Sequence, residues 1–424
     1  MIDGTDVVVT LDHQDVLVGS ARFIPGRRSE FVTRFQYSSD WLQHPLSFDL
    51  EPRLSRTSGT PATEGLPFSL DDSAPDAWGK RLIRAAARAS GASAPGDPEF
   101  LLGVSDASRH GALRFRVNGE FQNPANEIPH LIDLPDLEAA ATAVATGEDD
   151  HVALKLILGG TAGLGGARPK ATVTDGGRLL IAKFTDAADE WDVIGWEKVT
   201  LDLAMAAGIP VPVSRLVPIG TRKALLLERF DRDDDAARIP YMSARTLLEV
   251  VDAASGDYEE IGEALAEIDI ADISVARRGL WRRAAFSVAV HNTDDHLKNH
   301  GFLRTNRGWE LSPAFDINPE LTGGRERATG IAGARVPGAE PRGLERLARA
   351  FGITDAADVL DEVLVATGRW AELARANGLT DADVTRFERV FAEPRPRLME
   401  LRDQLATAAK NRPQIRRGSG GKFS

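Results

Sequence analysis

Residues 6–50 contain short apolar runs and a stretch of period-two alternation of apolar and polar residues, and both patterns are typical of β-strands. Residues 7–9 and 16–18 are short apolar runs on either side of a polar turn, so they predict a β-hairpin. Residues 31–37 continue the alternation and predict a third strand. The pattern therefore indicates that the chain opens with a β-rich unit, which we place at residues 1–120.

The first helical spacing of apolar residues follows at residues 76–89. Ser73 or Asp76 is the expected N-cap residue, because short polar side chains accept hydrogen bonds from the first backbone amides of a helix. Apolar patterning resumes at residues 100–104 and again at 111–117. Between these segments we expect a solvated loop that contains Asp106, Arg109 and His110.

A glycine-rich segment, residues 156–170, lies in a second unit that we place at residues 121–240, behind an alanine-rich predicted helix at 134–145. Its glycines stand at positions 159, 160, 163, 165 and 166. Glycine lets the backbone approach a ligand closely, and successive exposed N–H groups can cradle phosphates. The segment matches neither the Walker motif nor the dinucleotide fingerprint, so a tight or flexible loop is the alternative. Arg168 and Lys170 add positive charge at its end.

Two predicted strands, 171–174 and 179–184, follow the glycines, and Lys183 lies between apolar neighbours in the second strand. A kinase places its phosphate-binding lysine at this point, whereas the alternative is an exposed strand lysine. The next predicted helix, residues 196–207, carries Glu197 near its start. Glu197 either pairs with Lys183 or interacts only with the helix dipole.

A second strand pair, 211–218 and 224–230, completes this sheet, and from residue 243 onward the pattern is largely helical. The predicted helices span residues 244–253, 258–268, 273–292, 343–351, 356–366, 369–376 and 381–406. We place this helical unit at residues 241–409, ahead of a basic, glycine-rich tail at 410–424 that we expect to be mobile. The predicted fold class is α+β, with the two-lobed order of a protein kinase and an added small N-terminal domain.

Composition and charge exclude several classes of protein. The 424 residues include no cysteine, which rules out disulfides and thiolate chemistry. The formal net charge is −12 and the pI is about 5.3, which disfavours non-specific nucleic-acid binding by the chain itself. The first fifteen residues lack the pattern of a signal peptide, and no apolar run approaches the ~20 residues of a membrane span. We therefore expect a cytoplasmic location.

Polar residues are most concentrated between residues 291 and 300, where one apolar run precedes them and another follows. Asp294 is followed five residues later by Asn299, and Asp316 comes after a predicted hairpin. In phosphoryl transfer, an acid at the first position orients the attacking hydroxyl, while the Asn and the later Asp hold Mg²⁺ on the ATP phosphates. The alternatives are a loop rich in turn formers and a metal hydrolase site, with His291, Asp294, Asp295, His296 and His300 as ligands.

Short motifs along nearly the whole chain resemble those of HipA-type serine/threonine kinases, the toxin half of bacterial HipA/HipB toxin–antitoxin pairs. The strongest is Asn-Thr-Asp-Asp-His-Leu-Lys-Asn at 292–299, with Pro-Ala-Phe-Asp-Ile at 313–317. Gly-Gly-Ala-Arg-Pro-Lys at 165–170 and Leu-Glu-Arg-Phe-Asp-Arg at 227–232 also match. Residues 76–79, Asp-Ala-Trp-Gly, resemble part of the family's small N-terminal domain.

The resemblance implies specific roles at an ATP and Mg²⁺ site. Asp294 is the implied catalytic aspartate, and Asn299 and Asp316 are the implied Mg²⁺ ligands. The resemblance also implies that Lys183 contacts the α- and β-phosphates of ATP and that residues 228–230 lie beside the adenine. The whole set expected to bind ATP is Gly163, Gly165, Gly166, Lys170, Lys183, Glu197, Glu228, Arg229, Phe230, His296 and Lys298.

The resemblance also implies partners that no residue pattern identifies. The family phosphorylates protein hydroxyls, with aminoacyl-tRNA synthetases as the known substrate class. A helix-turn-helix antitoxin of the HipB kind restrains it, so contact with DNA is expected only through that antitoxin, and no membrane partner is expected.

The chain departs from the family pattern within the glycine-rich segment, where the family carries a serine that it phosphorylates itself. Gly163 stands at the expected position, and Thr161 is the nearest hydroxyl. Two hypotheses besides an active kinase toxin stay open: a non-catalytic nucleotide-binding co-repressor scaffold and a metal-dependent hydrolase. Asp294, Asn299, Lys183 and Asp316 together favour the kinase.

Overall fold

The architecture consists of antiparallel sheets followed by a mainly helical C-terminal part. A computed structural model describes residues 4–11, 13–26, 30–57, 59–123, 128–148, 154, 157, 166–321 and 325–411. The basic tail that we expect to be mobile lies outside these ranges from residue 412 onward. None of the helices within them is long and apolar enough to cross a membrane.

The first sheet contains six antiparallel strands, and the predicted hairpin forms two of them. The strands are β1 (Thr5–Leu11), β2 (Gln14–Pro25), β3 (Phe31–Tyr37), β4 (Ala62–Glu64), β5 (Leu113–Val117) and β6 (Glu120–Phe121). Their order across the sheet is β4-β3-β2-β1-β5-β6. Burial alternates along β3 as the sequence pattern predicts, and one face packs on a core that contains Val9, Phe35 and Trp41. The predictions for the hairpin and the third strand are confirmed.

Four helices complete the N-terminal unit: α1 (Ser39–Gln43), α2 (Phe68–Asp71), α3 (Ala77–Ala89) and α4 (Asp97–Gly103). Helix α3 confirms the predicted helix, and Asp76 occupies its N-cap position. The Asp76 carboxylate nevertheless makes no capping hydrogen bond to the helix. It contacts groups of the cleft described below.

The predicted solvated loop around residues 106–110 is wrong, because this segment is buried between parts of the chain. Arg109 is fully buried, and its guanidinium donates to the carbonyls of Ser73, Leu101 and Val104 at 2.8–3.0 Å. Carbonyls at the ends of helices need donors when water is excluded, and arginine supplies five N–H groups in one rigid fork. A polar cluster in the sequence therefore reflects a buried hydrogen-bond network here.

The second sheet has four antiparallel strands in the order β7-β8-β10-β9 and carries the predicted lysine strand. Its strands are β7 (Lys170–Asp175), β8 (Arg178–Phe184), β9 (Ser214–Ile219) and β10 (Arg222–Glu228). Helix α5 (Leu134–Thr146) packs on one face together with Trp78 and Leu82 of α3. Helix α6 (Val193–Ala206) begins three residues earlier than predicted, because Asp192 caps it by accepting from the Gly195 amide at 3.0 Å.

In the described residues of the C-terminal part, helices predominate beside one small sheet of β11 (Tyr241–Ser243), β12 (Gly301–Thr305) and β13 (Gly308–Leu311). Its helices are α7 (Ala244–Leu248), α8 (Tyr258–Ala264), α9 (Ile273–Ala289), α10 (Glu340–Ala350), α11 (Ala356–Thr367), α12 (Trp370–Ala376), α13 (Asp381–Ala392) and α14 (Arg395–Lys410). The single helix predicted at 381–406 is two helices, since neither Pro394 nor Pro396 has an N–H to continue the helical hydrogen bonds.

Aromatic packing fixes α6 against the C-terminal helices. The rings of Trp196 and Phe387 stack with centroids 4.1 Å apart, and Trp370 stacks on Phe391 at 4.7 Å. Trp196 is fully buried, and such aromatic pairs stabilise a packing arrangement beyond the area that they bury. Helix α6 is therefore a rigid support for the next residue along the chain, Glu197.

Candidate active site

A cleft opens where the N-terminal unit, the second sheet and the turn after α9 meet. It receives titratable side chains from all three parts of the molecule. Those that bear on its chemistry are Asp76, His110, Lys170, Lys183, Glu228, His296, Lys298 and Asp316.

Lys183 lies at the inner wall of the cleft between two carboxylates. Its Nζ atom is 2.6 Å from Glu197 Oε1 and 2.8 Å from Asp316 Oδ1. Only 8% of Lys183 is exposed, so the alternative of an exposed strand lysine is wrong. Burial alone lowers the pKa of Lys183, but Asp316 and Glu197 more than offset this and raise it above the ordinary value. Lys183 is therefore a permanent cation, and the predicted pair with Glu197 is present.

Asp316 is held in the cleft by the same contacts. Burial raises its pKa, but Lys183 and Lys170 outweigh burial, so the net pKa lies below the ordinary value and the group is a carboxylate. Its φ of 56° falls in the left-handed region, which costs roughly 1–3 kcal/mol for a residue other than glycine. Thr200 of α6 donates to the carbonyl of the next residue, Ile317, and this contact helps to hold the strained segment.

The two tandem aspartates after α9 have opposite surroundings. The Asp294 side chain is 61% exposed, whereas Asp295 is buried and contacts the Tyr258 hydroxyl and His300 Nε2, the latter at 3.1 Å. Burial raises the pKa of Asp295, but His300 and Arg327 bring it below the ordinary value. Asp295 therefore anchors the turn internally and leaves Asp294 presented to solvent.

This division argues against a metal hydrolase. Within the described ranges, no group of three or more histidine, aspartate or glutamate side chains gathers closely enough to hold a metal ion. The pairing of His300 with Asp295 in the interior removes both from the proposed ligand set.

Asn299 lies on the cleft wall in a short 3₁₀ turn, Leu297–Asn299. Its amide nitrogen is 3.4 Å from the carbonyl oxygen of Asp294, which leaves the amide oxygen as its acceptor. An amide oxygen and the Asp316 carboxylate are hard donors of the kind that Mg²⁺ takes when phosphate and water complete its shell. These two residues therefore fit a Mg²⁺–nucleotide site.

The described end of the glycine-rich segment enters the same cleft. Gly166 has φ of +94°, and a Cβ atom there would lie 2.7 Å from Lys170 Nζ, so only glycine fits without displacement. Lys170 is 4% exposed, and burial together with Lys183 lowers its pKa to about 8. Gly163, Gly165 and Thr161 lie outside the described residues, so their predicted roles stay predictions.

Lys298 joins the turn after α9 to the N-terminal unit. Its Nζ atom is 2.6 Å from Asp76 Oδ1, and Asp76 Oδ2 accepts from the Gly166 amide at 3.0 Å. Sequence reasoning missed Asp76 as a cleft residue, because an aspartate before a helix is ordinarily a cap. The family-like Asp-Ala-Trp-Gly motif at 76–79 was the one signal in the sequence.

The residues expected beside an adenine lie at the end of β10. Phe230 faces the cleft, and its ring is 5.3 Å from that of Phe315, which provides an aromatic surface. Glu228 pairs with Arg178 at 3.1 Å. The Arg229 guanidinium instead binds Asp231 and the carbonyls of Ser108 and Arg109. Arg229 nevertheless lines the cleft, so its predicted contact with ATP stays a prediction, although its guanidinium is occupied by these partners.

Comparison with known proteins gives one family and one fold. Residues 162–371 match the family model described as the HipA-like C-terminal domain. The chain is similar to one in the solved complex of the Shewanella oneidensis MR-1 toxin–antitoxin proteins HipA and HipB with operator DNA. The TM-score is 0.67 at 18% identity, over 94% of this chain and 99% of that chain.

A second structure, the Helicobacter pylori proinflammatory kinase CtkA, matches with a TM-score of 0.41 at 13% identity, over 58% of this chain and 94% of that chain. No curated protein matches the sequence. The first match confirms the predicted fold class, a sheet-rich N-terminal part followed by a helical C-terminal part.

Proposed function

The chain belongs to the HipA-like family, and on this premise we propose that it is an ATP- and Mg²⁺-dependent protein serine/threonine kinase. The observation that carries the proposal is the Lys183 ammonium held between Glu197 and Asp316 in the cleft. A lysine on a strand, paired with a glutamate on the following helix and facing a metal-binding aspartate, is the arrangement that kinases use to orient ATP phosphates.

Different residues of the cleft would bind different parts of Mg²⁺–ATP. Phe230 offers an aromatic face for the adenine, and Lys183 with Lys170 supplies positive charge for the phosphates. Asp316 and the amide oxygen of Asn299 would hold Mg²⁺. The bound ion would neutralise negative charge that develops on the phosphates during transfer.

Asp294 is the residue that we assign to the attacking hydroxyl. Its carboxylate is exposed, and the Arg325 guanidinium lies 3.4 Å from it. The Asn299 amide nitrogen lies 3.4 Å from the backbone carbonyl of Asp294. A serine or threonine hydroxyl that enters here would donate a hydrogen bond to Asp294, which would orient the hydroxyl oxygen toward the γ-phosphate. Asp294 would accept the hydroxyl proton as the oxygen–phosphorus bond forms and the bond from the γ-phosphorus to the leaving ADP breaks.

We also propose the biological role that this family membership suggests. The similar Shewanella chain comes from a complex with HipB and operator DNA, which supports a HipB-like helix-turn-helix antitoxin as partner of this chain and contact with DNA through that partner. The proposed activity is that of a cytoplasmic growth-inhibiting toxin that phosphorylates a translation-related protein such as an aminoacyl-tRNA synthetase.

The test compares wild-type protein with Asp294→Asn in the transfer of label from [γ-³²P]ATP, with Mg²⁺, to the protein itself and to aminoacyl-tRNA synthetases. We expect the substitution to lower transfer by about 100-fold or more, because positioned acid–base groups contribute about 10² to 10⁴. Binding of Mg²⁺–ATP, measured by calorimetry, should change little. Equal transfer by both proteins would overturn the role of Asp294, and no transfer by the wild type to any of these proteins would overturn the proposed kinase activity.

A further inference from the structure

The Asp76 carboxylate belongs to the N-terminal unit but ends in the cleft of the catalytic part. It stands at the N-cap position of α3 without capping the helix. Both oxygens instead contact groups of the cleft: Oδ1 lies 2.6 Å from Lys298 Nζ, and Oδ2 accepts from the Gly166 amide at 3.0 Å. The usual capping interaction of an N-cap aspartate is absent, and these contacts replace it.

Packing of α3 holds this carboxylate in place. Trp78 is only 2% exposed, and its indole N–H donates to the Lys170 carbonyl at 2.9 Å. The Trp78 backbone amide is 3.4 Å from the Gly166 carbonyl. Trp78 and Leu82 also share a hydrophobic core with the second sheet. The start of α3 is thus fixed to the sheet that carries Lys183, and Asp76 is presented from a rigid element.

The Asp76 carboxylate lies 2.6 Å from the Lys298 Nζ atom and is a direct counter-charge for this ammonium group. Asp71 is farther away, at 4.0 Å. An ammonium has three N–H donors, and Asp76 takes one of them. The others remain for a ligand in the cleft that Lys298 lines.

The cleft therefore contains two lysine–carboxylate pairs built in the same way. Glu197 holds Lys183 from α6, and Asp76 holds Lys298 from the start of α3. In the first pair the carboxylate orients the ammonium toward phosphates under the proposed function. Lys298 of the second pair directly precedes Asn299 in the same 3₁₀ turn, and both line the cleft. Under the proposed function it is therefore next to a Mg²⁺ ligand and within the region where the γ-phosphate and the hydroxyl would meet.

We propose that Asp76 is a positioning residue for phosphoryl transfer, which fixes the Lys298 ammonium against the transferring phosphate and makes the N-terminal unit part of the active site. This inference rests on the proposed kinase function. It predicts that Asp76 acts on the transition state more than on nucleotide binding, because the contact that it sets concerns the phosphate that moves.

Asp76→Asn isolates the contact with Lys298. The amide oxygen can still accept from the Gly166 N–H, while the amide NH₂ replaces the oxygen that faces the ammonium. We expect kcat to fall roughly 10- to 100-fold with the KM for ATP changed less than about threefold, since small misplacements of catalytic groups cost up to about 10²-fold. Asp97→Asn is the matched control, because Asp97 lies in the same unit and forms a half-exposed pair with Lys80 at 3.4 Å; it should keep wild-type kcat.

A double-mutant cycle with Lys298→Met separates positioning from general support of the fold. If Asp76 acts through Lys298, Asp76→Asn should lower kcat no further in the Lys298→Met background. Asp76→Ser removes the carboxylate but keeps a good N-cap residue, so it replaces the Asn variant in the cycle if that protein does not fold.

The outcomes distinguish a failure of the positioning role of Asp76 from a failure of the proposed kinase function. The positioning role would be overturned if Asp76→Asn lowered kcat by the same factor in the wild-type and Lys298→Met backgrounds. It would also be overturned if the kcat of Asp76→Asn equalled that of Asp97→Asn. Neither result would contradict the kinase function. An absence of phosphoryl transfer in the wild-type protein would overturn the kinase function and this inference with it.

Discussion

Replacing Asp231 by asparagine should destabilise the protein strongly, because Asp231 holds together a buried cluster between the N-terminal unit and the end of β10. We call this the junction cluster; it consists of His110, Arg229, Asp231, Arg232 and Arg238. Asp231 is 1% exposed and accepts from Arg229 at 2.6 and 2.9 Å, from Arg232 at 2.8 Å and from the Gly111 amide at 2.7 Å.

The size of the effect follows from these contacts. Asparagine has nearly the same shape, so little packing is lost, but its neutral amide leaves the buried guanidinium groups of Arg229 and Arg232 without a counter-charge. Removal of one partner from a buried ion pair costs about 3–5 kcal/mol. The free energy of unfolding of a typical protein is about 5–15 kcal/mol, so this substitution removes a large share of the stability.

The pH dependence of the effect has a definite sign. Burial raises the pKa of Asp231, but Arg229 and Arg232 outweigh it and bring the pKa well below the ordinary value. A depressed carboxyl pKa stabilises the folded state above the unfolded pKa of about 4, and this contribution is lost as the pH falls through the folded pKa. The difference in unfolding free energy between wild type and Asp231→Asn should therefore be constant from about pH 6 to 8 and shrink in acid below about pH 4.

Urea unfolding followed by circular dichroism measures this difference, with Asp234→Asn as the control. Asp234 is exposed three residues along the chain, and its substitution makes the same change of charge. We expect the control to stay within about 0.5 kcal/mol of the wild type. A loss below about 1 kcal/mol for Asp231→Asn, or one equal to that of the control, would refute the role of Asp231 as the residue that holds the junction cluster together.

Three further predictions concern the cleft. Asp316→Asn should weaken binding of Mg²⁺–ATP far more than binding of ADP without metal, because it removes a negative oxygen ligand; equal losses in the two calorimetric titrations would mean a purely structural role. Glu197→Gln should lower kcat about 10-fold or more while the protein stays folded, since Lys183 would then be drawn toward Asp316 alone; unchanged steady-state kinetics would contradict the pairing. Mass spectrometry after incubation with ATP should find no phosphate on residues 157–170 other than on Thr161, and strong self-inactivation that persists in Thr161→Ala would show that the regulatory site lies elsewhere.

Local sequence patterns predicted the elements that depend on local physics. The β1–β2 hairpin, the strands around Lys183 and helix α3 all follow from periodicity and turn residues, which act over a few positions. The pair of Lys183 and Glu197 could also be predicted, because the two residues lie on a strand and the next helix, only 14 residues apart in sequence.

Contacts between distant segments carry no such local signal. Asp76 and Lys298 are 222 residues apart, and Arg229 reaches the carbonyl of Ser108 across 121 residues. Asp76 has the residue type and position of a helix cap, and Arg109 has the composition of a solvated loop. Their actual environments depend on how the N-terminal unit docks on the second sheet, which is a tertiary event that overrides local preference.

A crystal structure of the protein with Mg²⁺ and a non-hydrolysable ATP analogue would show whether the cleft is the proposed nucleotide site. We expect the adenine against Phe230, Mg²⁺ bound by Asn299 and Asp316, and the phosphate groups between the ammonium groups of Lys183 and Lys298, with Asp76 still paired to Lys298. A nucleotide bound outside this cleft, or phosphates that contact neither lysine while Mg²⁺ lies away from Asp316, would contradict this expectation.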